Sequence, residues 1–464
     1  MKKLLVILFS IMLLSVLTSL NYLKAQNVKE SSYKPVVEKE SFNATMNKLI
    51  SEKQTYMKRQ MNLLEERYDL SNKVSSDVTM SRGKPIQVGI RVKLPDGVES
   101  FEDLAKMKPE EIKGKGLFPM GFMPLPHVKH EAGGQVFPQM HIDEIRRQEG
   151  RDLTRFDIEY DLPEHFLPEF PPAIFLTTRP DLGDVSQGQI VTINNYYQLF
   201  NGILTPKQLD GLRLLVTAFP QQEFNMTADR KTKLPSRGVT CFDCHVNGHT
   251  NATFHLEQSV RPQEYRSRVD TPSLRGVNIQ RLFGSKRALK TVEDFTEFEQ
   301  RGAYFDGDTV IAVKKGVNVL ERASQVHAMA ELEQILDFPP APKLDMFGKL
   351  IKEKATSDEL KGEELFFGKA KCAACHTPPY YTDNTMYDLK VERFYKNQLI
   401  NGKMAFAEGP IKNFPLRGLK DSPPYLHDGR LLTIDDTVEF FNLILELKLT
   451  KVEKTQLTAF LRCL

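Results

Sequence analysis

Four of the five cysteines stand in two short runs, Cys241-Phe242-Asp243-Cys244-His245 and Cys372-Ala373-Ala374-Cys375-His376. Each reads C-x-x-C-H. Two thiols one turn apart can add to the two vinyl groups of a haem, and the next histidine then lies under the ring as an iron ligand. The other uses of paired cysteines fit less well. A redox dithiol needs no histidine after it, and a four-cysteine zinc site spaces its pairs roughly 15–20 residues apart, far closer than these two. Cys241, Cys244, Cys372 and Cys375 are therefore expected to carry two haem c groups, with His245 and His376 as proximal ligands. There is no further C-x-x-C-H, so no third haem is expected.

Haem c is attached outside the reducing cytoplasm, and the N-terminus agrees with export. Lys2 and Lys3 precede an apolar run from Leu4 to about Leu20, and Ala25 closes a polar segment. That layout predicts a signal peptide over 1–25 and a periplasmic protein with no membrane span after cleavage. A net charge of +3 over 464 residues gives no reason to expect a nucleic-acid partner.

The expected fold is mainly α: two tandem cytochrome c-like haem domains, 200–340 and 341–464, behind an irregular N-terminal extension, 26–199. Within the extension, Met46, Leu49, Ile50, Met57, Met61 and Leu64 space a long helix over Ser41–Tyr68, and Val88–Val92 alternates as a short strand. Leu117–Pro180 is rich in proline and aromatic residues, which predicts an irregular, wrapped segment. His127, His130, His141 and His165, with Met120, Met123 and Met140, are candidate distal ligands there, each more plausible as an ordinary core or surface residue.

Each haem domain should open with a helix, carry its C-x-x-C-H, and close with a helix. Thr205-Pro206 caps the first entry helix, which runs over Lys207–Phe219, and Ser357 caps the second, which ends near Phe367. Ala328–Leu336 and Lys451–Leu461 are the closing helices, and Phe338-Pro339-Pro340-Ala341-Pro342 reads as a linker. The repeat extends to Pro272-Ser273-Leu274-Arg275-Gly276 against Phe414-Pro415-Leu416-Arg417-Gly418, and to Arg287–Asp294 against Arg430–Thr437.

The order C-x-x-C-H, P-S-L-R-G, C-x-x-C-H, P-L-R-G, P-P-Y-L-H-D-G-R resembles the bacterial dihaem cytochrome c peroxidase family, MauG-like enzymes included, over about 200–464. The resemblance implies a peroxidatic haem on the first motif. It implies an electron-entry haem on the second, served by a small donor protein such as a cytochrome c or cupredoxin. Hydrogen peroxide would be reduced at the first, with Glu297 as acid/base and Glu299 as second choice. It also implies a resting distal histidine, His255 ahead of His249; propionate partners Arg275 and Arg417; and calcium near Ser422 and Pro424. The alternatives are a non-catalytic dihaem electron carrier and a dihaem oxygenase or MauG-like enzyme.

Two departures stand out. The family places a distal methionine where this chain reads Glu439-Phe440-Phe441-Asn442, so Met404 becomes the candidate, ahead of Met386, with His427 as another possibility. The family's inter-haem tryptophan is missing, since the chain has none. Phe283 or Tyr425 would have to stand there. Cys463 is expected to pack as a small hydrophobe.

Overall fold

The computed structural model describes residues 135–151, 153, 168–218, 239–256, 268–305, 320–389, 399–400, 403–404, 410–427, 429, 431 and 433–464, with short pieces at 51, 74–79, 85–87 and 111. Residues 40–226 and 230–464 form one compact unit. The second unit, 1–39 with 227–229, lies outside the described residues, as do the expected signal peptide, the strand at 88–92 and nearly all of the Ser41–Tyr68 helix. Among the described residues, no helix is long and apolar enough to cross a membrane.

The unit is helix-rich with little strand. In chain order it contains β1 (Val74–Thr79), β2 (Pro85–Gln87), β3 (Gln135–Val136), α1 (Gln139–Glu149), β4 (Phe175–Leu176), α2 (Tyr196–Phe200) and α3 (Pro206–Leu215). Then come α4 (Cys241–Cys244), β5 (Phe254–Leu256), β6 (Arg268–Asp270), α5 (Val292–Phe305), α6 (His327–Glu333) and β7 (Leu336–Asp337). The last third holds α7 (Ser357–Phe367), β8 (Met386–Tyr387), β9 (Leu399–Ile400), β10 (Lys403–Met404), β11 (Ile411–Lys412), α8 (Ile434–Ile444) and α9 (Lys451–Leu461).

Local chemistry sets most helix starts. Thr205, Thr356 and Thr450 each cap a helix reciprocally with the Gln or Glu three positions on. The cap of α7 is thus Thr356, one residue before the expected Ser357, because Glu359 stands three after Thr356 and not after Ser357.

Two large hydrophobic cores follow, with a smaller third around α1. One is built from Leu176, Phe200, Leu212, Leu215, Phe242, Met329 and Leu336 with their neighbours; the other from Phe366, Tyr381, Phe440, Phe460 and theirs. Each is organised by an entry helix crossing a closing helix at a glycine. A Cβ on Gly211 of α3 would lie 2.0 Å from the Ala328 carbonyl oxygen of α6, and one on Gly362 of α7 would lie 2.0 Å from the Gln456 carbonyl oxygen of α9. Only a residue without a side chain lets the two backbones approach this closely.

The two halves repeat in finer detail. Phe283 bridges Leu289 as Tyr425 bridges Leu431. Thr291 Oγ1 accepts from the Asp294 amide as Thr433 Oγ1 accepts from the Asp436 amide. This register corrects the one read from sequence by one residue. Arg287 (φ 55°) aligns with Gly429 (φ 65°) rather than Arg430, and Glu297 with Glu439 rather than Phe440. Turn geometry, not the arginine match, decides it.

The segment from Phe338 onward is no free linker. Phe338 is 8% exposed, and Gly276 and Gly418, both at positive φ, press on it and on Pro339. Part of the N-terminal extension also belongs to the core. β3 pairs with β5 to complete the three-stranded sheet β3-β5-β6, and α1 brings Ile142 and Ile145 against Val239, Val246, Cys241 and Cys244.

Candidate haem-binding and catalytic site

Both motifs fold as a single turn that sets two thiols and a histidine together. In the first, Thr240 caps α4 reciprocally with Asp243, and the His245 amide donates to the Cys241 carbonyl at 2.9 Å. In the second, the His376 amide donates to the Cys372 carbonyl at 2.9 Å. His245 Nδ1 lies 2.9 Å from the Pro272 carbonyl, and His376 Nδ1 lies 2.9 Å from the Tyr381 carbonyl. A carbonyl only accepts, so the proton sits on Nδ1 and Nε2 keeps its lone pair. Burial lowers the His376 pKa, which favours the neutral form a metal requires. A ligating histidine usually donates its other ring N–H to a carbonyl, which fixes the tautomer and the ring's orientation, so the residues present fit haem c.

Tyr381 is itself fixed. Its ring packs edge-on with Phe366 and Phe460 at centroid distances of 5.4 and 6.1 Å, and its hydroxyl donates to the Gly348 carbonyl. The core of the second half therefore sets the azimuth of His376 through one carbonyl. Burial, then the neighbouring Cys375, pushes the Cys372 thiol up to about 12. A reactive dithiol needs the opposite shift. Among the described residues no cluster of three or more His, Cys, Asp or Glu is arranged to hold a bare metal ion.

The first motif is gripped from outside. Arg151, just past α1, makes a bidentate pair with Asp243 at 2.6 and 2.8 Å, and its Nε donates to Glu149. The Asp243 side chain is 1% exposed. His141 of α1 is wholly buried near Phe137 and Phe170, with Asn251 on Nδ1 and, among the described residues, no partner on Nε2. Burial, against the attraction of Asp243, lowers it to about 4. None of the other extension histidines lies among the described residues.

The remaining candidates are placed as follows. Arg275 is 7% exposed; its guanidinium donates to the Ala173 carbonyl at 2.6 Å and lies 5.9 Å from the Phe175 ring. Arg417 donates to the main-chain oxygens of Leu464 and Pro339 over the Phe338 ring. Neither makes an ion pair among the described residues, and burial lowers Arg275 to about 10 and Arg417 in the same direction. Two desolvated guanidinia with no side-chain carboxylate paired to them among the described residues suit anionic propionates. Glu297 lies on α5 and is held by Arg322, which also holds Asp294. Glu299 is half-buried on the same helix. His255 is in the central strand β5, opposite Gln135 and Val269, and Met404 pairs with Leu399 in β10–β9. The side chains of these two lie outside the described residues.

His249 is committed elsewhere. It is 1% exposed, with Nδ1 on Ser273 Oγ and Nε2 on the Asp421 carbonyl, both at 2.7 Å. Each nitrogen is taken, so in this structure it latches the first half to the second. Phe440 is a fully buried core residue, and Glu439 beside it pairs with Lys454.

Sequence reading missed Glu333 of α6. It is 4% exposed, 2.8 Å from Thr296 Oγ1, which is also 2.8 Å from the Val292 carbonyl. The Thr296 hydroxyl is the donor, shared between the Glu333 carboxyl oxygen and the Val292 carbonyl. Burial pushes Glu333 up to about 7. An isolated Glu in an A-E-L-E-Q run gives no sign of this in sequence.

No family model matches the chain. Searches among known proteins find relatives over part of it. The methylamine utilization protein MauG of Methylorubrum extorquens is 32% identical over 153 residues, 30% of this chain and 42% of the relative. Cytochrome c551 peroxidase of Nitrosomonas europaea is 30% identical over 144 residues, again 30% and 42%. Cytochrome-c peroxidase IdrP2 of Denitromonas iodatirespirans is 28% identical over 158 residues, 26% and 43%. The chain is similar to MauG and the cytochrome c peroxidases. The resemblance read from the motifs is borne out over that stretch, and the chain spans less than half the length of each of these relatives. Among solved structures, a MauG-like protein associated with microbial copper homeostasis matches 66% of the chain and 95% of its own, at 16% identity and a TM-score of 0.38.

Proposed function

We propose that the chain is an exported dihaem c-type oxidoreductase that reduces hydrogen peroxide with electrons from a small redox protein. The observation that carries this reading is the matched pair of C-x-x-C-H turns, each with its histidine Nδ1 on a backbone carbonyl. The named relatives support the reaction class. Reduction of one peroxide takes two electrons and two protons and yields two waters.

Haem iron, when bound, supplies the centre at which the O–O bond is broken. The protein's part is positioning and proton movement. His245 and His376 present Nε2 at fixed azimuth, and Arg275 and Arg417 offer guanidinium donors to propionates. Glu297, oriented by Arg322, takes the proton from one peroxide oxygen and returns it to the other, with Glu299 second in line. The first haem is assigned to peroxide and the second to electron entry, with Met404 and His255 as distal candidates.

The test is a redox-poised spin-state spectrum of the purified holoprotein, with peroxide added. One five-coordinate, high-spin haem after partial reduction, with rapid turnover, is expected. Two low-spin haems inert to peroxide would establish an electron carrier instead. Glu297→Gln should slow turnover by about 10²-fold or more while keeping both haems. An unchanged rate would move the role to Glu299.

A further inference from the structure

The junction between the halves holds two cations with no anion beside them among the described residues. Lys412 lies in β11, in the second half, and is 3% exposed. Its ammonium crosses to the first half and donates to Gln280 Oε1 and the Leu282 carbonyl, both at 2.9 Å. The rings of Phe283 and Phe414 stand 5.6 and 5.4 Å from it. Arg287 lies two residues along the chain from Ser285, whose carbonyl accepts from the Lys412 amide at 2.8 Å, and among the described residues its Nε is buried with no hydrogen-bond partner. Among the described residues, neither cation has a carboxylate within ion-pair distance.

This arrangement is costly as it stands. Desolvating one ammonium costs several kcal/mol, roughly, even after relaxation, and a second cation alongside adds repulsion. Neutral carbonyl acceptors and ring faces offset only part of that. The pattern is that of a site whose counter-charge arrives with a ligand. An attached haem c is held by its thioethers and its iron, and its propionates are the anionic groups left to be paired. Lys412 is also two residues from Phe414, whose carbonyl faces the His376 ring.

We propose that Lys412 and Arg287 form a carboxylate-binding site at the junction, and that a haem propionate occupies it in the loaded protein. This rests on the dihaem reading. A cation beside a haem favours the reduced iron, so the site also sets how readily electrons settle at the junction.

The test uses holoprotein with Lys412→Met and Lys412→Arg. Haem content by pyridine haemochrome should stay at two per chain in both. Lys412→Met should lower the reduction equilibrium constant of one haem about tenfold, 59 mV for one electron, and shift a propionate band in the resonance Raman spectrum. Lys412→Arg should restore both. Unchanged potentials and an unchanged propionate band in Lys412→Met would overturn the proposal. A free small carboxylate is the other source. If added succinate shifts a potential in the native protein but not in Lys412→Met, the propionate assignment is wrong. Absence of haem from the native protein would instead overturn the dihaem reading itself.

Discussion

Asp243 occupies one of the two variable positions of the first haem motif, yet it is the residue through which the extension grips that motif. Arg151, 92 positions away, is its partner. Arg151→Met would leave a buried carboxylate uncompensated, which costs about 3–5 kcal/mol. Lower thermal stability of the holoprotein, with normal spectra for the second haem, is the expected outcome. Glu333 gives a second prediction. The folded acid keeps its proton between the ordinary 4.5 and about 7, where the unfolded chain gives it up. Stability should therefore fall as pH rises through that window, by about 3 kcal/mol in total. Glu333→Gln should remove that contribution, as measured by denaturant unfolding at several pH values. At this scale the sequence singled out the candidate ligating residues, because cysteine and histidine at fixed spacing have few other uses. It could not reveal Arg151–Asp243, Glu333 or the double engagement of His249, which depend on burial and on partners far away in the chain.

The elements were legible where local chemistry fixes them. Thr205-Pro206 and Ser357 placed the starts of α3 and α7 to within a residue, and α9 matched its expected span of Lys451–Leu461. The α3 helix ends at Leu215 rather than Phe219, and the expected closing helix begins at His327 and stops at Glu333. What the pattern hid was the crossing glycines, since Asp210-Gly211-Leu212 and Lys361-Gly362-Glu363 look like ordinary helix interior. Gly362→Ala would drive a methyl group into the Gln456 carbonyl and should cost roughly 3 kcal/mol, the upper end of overpacking. Gly211→Ala should do the same in the first half. Elsewhere in a helix the same exchange stabilises by about 1 kcal/mol, so the sign of the measured change tests the crossing directly. The one-residue slip in the repeat has a similar origin. Backbone turns at Arg287 and Gly429 set the register, and side-chain identity misled.

On the scale of the whole unit, the two halves are joined by many short contacts. The Asp270 amide donates to the His427 carbonyl at 2.9 Å, the Arg281 amide to Asn384 Oδ1 at 2.9 Å, and the Lys412 amide to the Ser285 carbonyl at 2.8 Å. His249 spans the same junction. His249→Phe removes both of its hydrogen bonds and leaves the Asp421 carbonyl buried, so it should loosen the junction at a cost of about 1–3 kcal/mol. Hydrogen exchange at the 271–277 and 419–422 turns would register it. Sequence reading expected two tandem haem domains and made Phe338–Pro342 a connector between them, because proline runs usually are. Here Phe338 and Pro339 are wedged under the arginine-glycine turns of both halves. A wedge of that kind removes the hinge. Electrons crossing the junction would then tunnel over a separation that does not wait for large-scale motion, and their rate should be indifferent to solvent viscosity. Transient inter-haem kinetics in glycerol series would show this, and a rate that falls with viscosity would mean that the halves swing.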